Sequence, residues 1–268
     1  MNQSPSQTTH LFTNRQITAM LLPLMAEQLL ITLMGMVNTF MVAHVGSYAI
    51  SAVSLVDSIN ILVIQAFYAL STGGTIVCAQ YLGQKKTGHA IRSAEQTLFI
   101  VTLISLVTAA FCILFDRQIL RLIFGTVDEE VFNSARTYFF YSSLSYPFIA
   151  LYDAGSSIFR AQKNTGFPMA MSLIANIANV IGNIILVLIL GQGVAGAAIS
   201  TLAARALCAL LVLLRLVKPR ENQPVYVANY TRIRPHMPLI RRILHIGIPA
   251  GIENSMFQFG KLAIQSSV

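Results

Sequence analysis

The chain has 268 residues, of which 55% are hydrophobic and only 10% are charged, and its mean hydropathy is +0.66. About a quarter of the residues of a soluble domain are charged. The composition of this chain therefore excludes an ordinary globular protein and indicates several membrane crossings. The net charge of +8 suggests anionic partners, but the basic residues are placed as in a membrane protein, and we expect no nucleic-acid partner.

Seven segments are long and apolar enough to be membrane-spanning helices, which need roughly 20 mostly apolar residues. Numbered as spans 1 to 7, they cover residues 17–43, 51–82, 94–115, 134–159, 167–190, 194–217 and 243–268. Barrel strands would alternate apolar and polar residues over short segments, and this alternation is not found. We therefore predict an all-α, polytopic helical membrane protein.

The loops between the spans indicate their orientation. Most Lys and Arg residues lie in the N-terminal tail, in the loops after spans 2 and 4, and in the connection after span 6, whereas the opposite loops mix Arg with Asp and Glu. Because basic loops stay on the cytoplasmic side, this pattern predicts a cytoplasmic N-terminus in the cell membrane. The basic, proline-containing connection is expected to contact lipids of the anionic inner leaflet.

A short repeat indicates two related halves. The spacing of Arg15, Ile17, Pro23, Glu27 and Gln28 around span 1 recurs around span 7 in Arg241, Ile243, Pro249, Glu253 and Asn254. Six spans per half would give both halves the same orientation, as in parallel-repeat transporters. We expect a tail at 1–14, a six-helix lobe at 15–217, a linker at 218–242 and, at 243–268, the first helix of a second lobe. The remainder of that lobe, beyond this sequence, would be a required partner in a pseudo-symmetric 6+6 protein.

Two carboxylates in the spans are candidates for an ion site. A charged side chain at the centre of a membrane helix costs roughly 2.5–3.5 kcal/mol to insert, so it marks a functional candidate. Glu27 and Glu253 each lie about one turn beyond a proline, which frees a backbone carbonyl and permits a kink. We predict that Glu253, and after it Glu27, bind the coupling ion, H⁺ or Na⁺. Structural pairing of these carboxylates is the alternative.

Other polar side chains share helix faces at 100° per residue. Asn38 follows Glu27 by three turns on nearly the same face of span 1, and Asn176, Asn179 and Asn183 form one narrow arc of span 5. We assign Asn38 to the ion site beside Glu27. The predicted substrate cavity contains Asn176, Asp57, Gln65, Tyr68, Tyr141 and Tyr152, the last on a face of span 4 that excludes Asp153 and Arg160. Interhelical hydrogen bonds and aromatic packing are the alternatives.

Six stretches of the sequence together resemble the MATE (multidrug and toxic compound extrusion) transporters: LPLMAEQLLITLMGMVNTFMVAHVG, GGTIVCAQYLGQKKTGHA, RAQKNTGFPM, NVIGN, GVAGAAIST and IGIPAGIE. The resemblance implies twelve helices in two lobes around a cavity that opens alternately to the two membrane faces. It also implies export of organic, often cationic, compounds in exchange for H⁺ or Na⁺. Asn38 and Asn183 stand where many members have aspartates, Asn179 matches the family's asparagine, and Phe257 occupies the usual position of the span 7 acid. The resemblance therefore implies that Asn179 and Asn183 also belong to the ion site.

We therefore predict a secondary antiporter of small organic substrates, which is not an enzyme and needs no cofactor beyond its coupling ion. A flippase for lipids or lipid-linked saccharides, from the same broader superfamily, is one alternative. The others are an intramembrane enzyme or a structural membrane protein. Catalysis would need a convergent set of reactive groups, and the five His residues are not paired at helical spacing. A structural role would leave Glu27 and Glu253 without a purpose.

Overall fold

The computed structural model describes residues 14–125, 127–217, 223–228, 230 and 233–266. Its helices are α1 (Asn14–Ala43), α2 (Ser47–Gly83), α3 (Thr87–Leu114), α4 (Asp116–Phe124), α5 (Glu129–Ala161), α6 (Gly166–Asn183, continued by a π-helical segment Ile184–Ile189), α7 (Gly193–Leu216) and α8 (Met237–Ser266). The all-α prediction is confirmed. Outside the described residues lie the predicted tail apart from Asn14, parts of the predicted linker, and the last two residues of span 7.

The predicted spans correspond to α1, α2, α3, α5, α6, α7 and α8, but they differ in polarity. Within the described residues, five helices are long and apolar enough to cross a membrane: α1 from Met20, α2, α3, α6 with its π-helical segment, and α7. Neither α8 nor α5 is among them. Helix α5 lies between α2, α3 and α7, where Phe139, Tyr146 and Phe159 are fully buried. A helix surrounded by other helices can be polar, because its polar groups contact protein instead of lipid.

Two segments differ from the sequence prediction. The short helix α4 was not predicted, because its nine residues contain no apolar run of spanning length. It is fixed to α5 by Arg136, whose Nε donates to Asp116 Oδ2 at 2.6 Å. α8 begins at Met237, inside the predicted linker, and packs against α2. There a Cβ atom on Gly73 would lie 2.5 Å from the Ile243 carbonyl oxygen, so the two backbones approach closely, as small residues permit.

The described part of the linker is docked on the lobe by two glutamine side chains. The Gln162 side chain donates to the Val225 carbonyl at 3.2 Å and accepts from the Val225 N–H at 3.0 Å. Gln96 likewise donates to the Arg234 carbonyl at 2.9 Å and accepts from the His236 N–H at 2.8 Å. Each glutamine side-chain amide therefore bonds to a backbone N–H and a backbone carbonyl of the linker, as a neighbouring β-strand would. This part of the linker is thus packed against the helices of the lobe.

α1 is the least enclosed of the apolar helices. It packs against α2, α6 and α7, yet Leu22, Met25 and Met36 are 65–67% exposed. In contrast, its Glu27 is only 3% exposed. Glu27 thus faces the lobe, and many of the apolar side chains of α1 face outward.

Candidate functional site

α1 contains a proline and a buried carboxylate in adjacent turns. Pro23 lies inside the helix, where it removes one backbone hydrogen bond and permits bending. Glu27 follows about one turn later and its carboxylate is buried. Burying a carboxylate costs several kcal/mol unless it is paired and hydrogen-bonded, so its partners determine how α1 is held.

The partners of Glu27 come from α5, and we call Glu27, Tyr152 and Arg160 the ionic cluster. Arg160 Nη2 lies 3.0 Å from both carboxylate oxygens of Glu27. The Tyr152 hydroxyl lies 2.8 Å from Glu27 Oε1 and 3.2 Å from the Pro168 carbonyl, so its single proton is directed to the nearer, charged acceptor. The Arg160 guanidinium also lies 5.9 Å from the centre of the Tyr68 ring, within cation–π range.

This arrangement corrects one interpretation of span 4. The sequence placed Tyr152 and Arg160 on different faces, and that separation was wrong, because both side chains reach the same carboxylate. Positions eight residues apart differ by only about 80° around a helix, and the long Arg160 side chain covers that difference. Glu27 is thus ion-paired with Arg160 in this structure, and its assignment to the ion site stays a prediction.

A second group joins α1 to α6 and α7, and we call Asn38, Asn179, Asn183 and Thr201 the amide cluster. Asn183 Nδ2 donates to Asn38 Oδ1 at 2.7 Å and lies 3.0 Å from Asn179 Oδ1. Asn179 Nδ2 donates to Thr201 Oγ1 at 3.1 Å, and the Asn179 carbonyl accepts from Ser200 Oγ at 2.8 Å. The structure thus brings together the three asparagines assigned to the ion site, but none of these side chains titrates near neutral pH.

The residues assigned to the substrate cavity separate into three places. Tyr68 and Tyr152 lie at the ionic cluster, and Asn176 donates to the Leu30 carbonyl of α1 at 3.3 Å. Asp57 belongs to another network, in which Asn60 Nδ2 lies 3.2 Å and the Tyr138 hydroxyl 3.5 Å from its Oδ1. Gln65 and Tyr141 are half-buried and belong to none of these three places.

A separate open groove of about 840 Å³ lies between the start of α2 and the α4–α5 turn. Its polar lining consists of Ser51, Ser54, Ser58 and Asp128. None of the predicted cavity residues lines it. Among the described residues, no group of three or more His, Cys, Asp or Glu side chains is arranged to hold a metal ion.

The carboxylate of α8 differs from its counterpart in α1. Glu253 is exposed, whereas Glu27 is buried and ion-paired. Both helices have 30 residues and an internal proline. Similar local sequence therefore has different surroundings among the described residues, because Glu27 is bonded to side chains of α5 whereas Glu253 is exposed.

Two charged residues in the interior of the lobe were not predicted as site residues. Arg205 Nη1 of α7 donates to Ser145 Oγ of α5 at 2.6 Å, and the buried Oδ2 atom of Asp153 has no hydrogen-bond partner among the described residues. Their charge inside a span was the signal that could have identified them.

Comparison with known proteins gives consistent matches. The MatE family model matches residues 23–185. The chain is 27% identical to the probable multidrug resistance protein NorM of Thermotoga maritima, over 92% of this chain and 53% of that protein. It is 26% identical to the multidrug export protein MepA of Staphylococcus aureus, over 91% of this chain and 53% of that protein. The chain thus spans about half the length of the curated relatives it matches.

Solved structures share the fold. An outward-facing multidrug resistance MATE family transporter of the MOP superfamily superposes with a TM-score of 0.82 at 20% identity, covering 93% of this chain and 56% of that one. A MOP superfamily transporter from Pyrococcus furiosus gives the same TM-score, identity and coverage. The chain thus spans a little over half the length of each of these structures.

Proposed function

The chain belongs to the MatE family of membrane transporters, and from this premise we propose that it forms half of a multidrug exporter driven by antiport of H⁺ or Na⁺. The family resemblance and the polytopic, partial-lobe fold predicted from the sequence are confirmed. The relatives are transporters and not enzymes. The observation that favours ion coupling is the set of carboxylates inside the spans, which would be expensive to keep there without a function.

The proposed substrates are small organic compounds, often cationic. Exposed Tyr68 offers an aromatic face, and aromatic faces bind organic cations. Exposed Glu253 offers a negative charge on the uncovered face of α8. The central cavity would form where these surfaces meet the second half of the protein, so we expect the isolated chain to export nothing.

The proposed coupling carboxylate is Glu253. Glu27 is bonded to Arg160, so an incoming cation would have to displace a guanidinium before it could bind there. Glu253 lies about one turn after Pro249, where the kink leaves a carbonyl oxygen available. Carboxylate, carbonyl and amide oxygens are suitable ligands for a hard cation such as Na⁺, and a carboxylate alone is sufficient for H⁺.

Transport in proteoliposomes tests this function. The chain extended to the length of its relatives should export a fluorescent organic cation when either an H⁺ or an Na⁺ gradient is imposed, and the active gradient identifies the ion. Glu253→Gln should abolish gradient-driven export but retain binding of the probe. Glu130→Gln, which changes an exposed carboxylate at the start of α5, is the matched control and should export normally. Wild-type export by Glu253→Gln would show that Glu253 is not the coupling group.

The proposed orientation has a cytoplasmic N-terminus in the cell membrane. The basic turn between α2 and α3, with exposed Lys85 and Lys86, would then lie inside the cell, and the start of α5 outside. Cysteine introduced at Glu129 should react with an impermeant thiol reagent on intact cells, whereas cysteine at Lys86 should not. The reverse labelling pattern would contradict this orientation.

A further inference from the structure

The short helix α4 carries the most exposed large hydrophobic side chain of the described residues. Leu122 is 87% exposed, and Ile123 beside it is exposed as well. Apolar surface of this kind is favoured in an apolar environment and not in water. Nothing in the described part of the chain covers these two side chains, so we looked for a surrounding that would.

The apolar surface of α4 continues the outward side of α3. Helix α3 is long and apolar enough to cross a membrane. Its exposed side chains Leu103, Val107, Phe111 and Leu114 recur at intervals of three or four residues, which is the spacing of one helix face. In a membrane this face contacts lipid. α3 ends at Leu114 and α4 begins at Asp116, so α4 starts where the lipid-facing side of α3 reaches the membrane surface.

The surface of α4 divides into three sectors. Asp116 and Leu120 are buried against the lobe. At 100° per residue, Leu122 and Ile123 lie on one flank of this buried sector. The arginines of α4 lie on the opposite flank. The helix therefore exposes an apolar side and a cationic side, which is the pattern of helices that lie in the plane of a membrane interface.

The cationic flank consists of Arg117 and Arg121, which are both exposed. Neither forms an ion pair among the described residues, whereas the neighbouring Arg136 is paired with Asp116 at 2.6 Å. The Arg121 guanidinium lies 5.7 Å from the centre of the Phe132 ring, and this contact uses none of its N–H donors. A guanidinium donates two parallel N–H bonds to a phosphate group, so both side chains are suited to an anionic headgroup.

The acidic residues that follow α4 are placed for another role. Asp128 lines the groove beside the start of α2. Glu129 and Glu130 lie in the first turn of α5, where the partial positive charge of a helix N-terminus favours carboxylates. Among the described residues, none of the three is ion-paired with an arginine of α4. The cationic flank therefore keeps its charge available to a ligand.

We propose that α4 is an interfacial anchor that binds anionic phospholipids of the outer leaflet. Leu122 and Ile123 lie among the acyl chains next to the headgroups, and Arg117 and Arg121 bind the lipid phosphates. Arginines are scarce in outer loops, and lipid phosphate gives these two a function there. Only the assignment to the outer leaflet rests on the proposed orientation, and the lipid contact itself is independent of export.

The apolar contact is tested by fluorescence, because the sequence contains no tryptophan. The variant Leu122→Trp, in which the exposed position requires no repacking, is placed in bilayers of phosphatidylcholine with brominated acyl chains. Its emission should be quenched by the bromine atoms and resist quenching by aqueous iodide. Leu106→Trp, at an exposed position of α3, is the matched control for a side chain in lipid and should behave in the same way.

The ionic contact is tested with the same reporter in mixed bilayers of phosphatidylglycerol and phosphatidylcholine. Quenching of Leu122→Trp should be stronger when the bromine atoms are on phosphatidylglycerol than when they are on phosphatidylcholine. Adding Arg117→Gln and Arg121→Gln should remove this preference. Arg92→Gln, which removes an exposed cation at the opposite end of α3, is the matched control and should retain it. Leu106→Trp in the doubly substituted chain should still be quenched, which shows that α3 remains in the bilayer.

Each contrary result overturns the proposal in a defined way. Quenching of Leu122→Trp by iodide and not by bromine would place this flank in water. Protection from both quenchers would mean that a second copy of the chain covers it. Loss of bromine quenching only in the chain extended to the length of its relatives would assign the flank to the second half. Equal quenching by the two brominated lipids, or a preference that survives without both arginines, would exclude the phosphate contact.

Discussion

The ionic cluster and the amide cluster both attach α1 to the lobe, but by different chemistry. They lie about three helical turns apart on α1, or roughly 16 Å. The ionic cluster joins Glu27 to Arg160 and Tyr152 of α5, and the amide cluster joins Asn38 to Asn183 of α6. One contact is charged, whereas the other is neutral.

This difference indicates how one helix can be both held and released. A neutral amide bond contributes about 0.5–1.5 kcal/mol and does not depend on pH in the physiological range. A buried ion pair is sensitive to every charge nearby, because the low dielectric of the interior strengthens each interaction. We therefore expect α1 to be permanently attached near Asn38 and conditionally attached near Glu27, with Pro23 as the bend beyond the conditional contact.

The largest effect is expected from Arg160→Gln. The change leaves Glu27 buried without its cation, and breaking a buried pair in this way costs about 3–5 kcal/mol of unfolding free energy. Equilibrium unfolding in lipid bicelles measures the loss. Arg121→Gln is the control, since Arg121 is exposed and its recorded contact is a cation–π interaction with Phe132 at 5.7 Å. Equal losses in both variants would mean that the ionic cluster contributes no more than a surface contact.

Gly182→Ala should weaken the amide cluster by about 1–3 kcal/mol, the usual cost of overpacking. A Cβ atom at Gly182 would collide with Ser200 Oγ, and the displaced hydroxyl would lose its bond to the Asn179 carbonyl. Gly35→Ala on α1 is the matched control, because nothing lies within 4 Å of its Cβ position. An unfolding free energy unchanged by Gly182→Ala would show that the Ser200 contact is not needed.

Asn38→Ala should have a smaller effect, about 0.5–1.5 kcal/mol for one hydrogen bond. Asn183 Nδ2 would still donate to Asn179 Oδ1 at 3.0 Å, so only one of its two N–H groups loses its acceptor. Unfolding measured at pH 5 and pH 8 should give the same loss at both values. A loss that changes with pH would contradict the neutral character of this cluster.

The smallest effect is expected from Tyr68→Leu. This change removes the aromatic face beside Arg160 but retains an apolar side chain, and exposed cation–π contacts contribute about 0.5–1 kcal/mol. Tyr68→Phe retains the ring and should be close to wild type in the same unfolding measurement. A similar loss in the two variants would assign the contribution to the hydroxyl group.

The sequence predicted the helices better than the contacts between them. Apolar length located the spans, and the 100° periodicity correctly placed Asn179 and Asn183 on one face, because both properties are local. The pairing of Glu27 with Arg160 depends on how α1 and α5 are placed in space, and no local pattern contains that information. Helix α4 and the docking of Val225 by Gln162 were missed for the same reason, since a short polar helix and a single glutamine have no periodic signal.

Double-mutant cycles across the two clusters test the central claim that α1 is held by one strong ionic contact and one weak neutral contact. The cycles compare the Glu27→Gln and Arg160→Gln pair with the Asn38→Ala and Asn183→Ala pair, by unfolding free energy in lipid bicelles at neutral pH. We predict a coupling energy of about 3 kcal/mol for the ionic pair and about 1 kcal/mol for the amide pair. Equal coupling energies, or a larger value for the amide pair, would contradict this account.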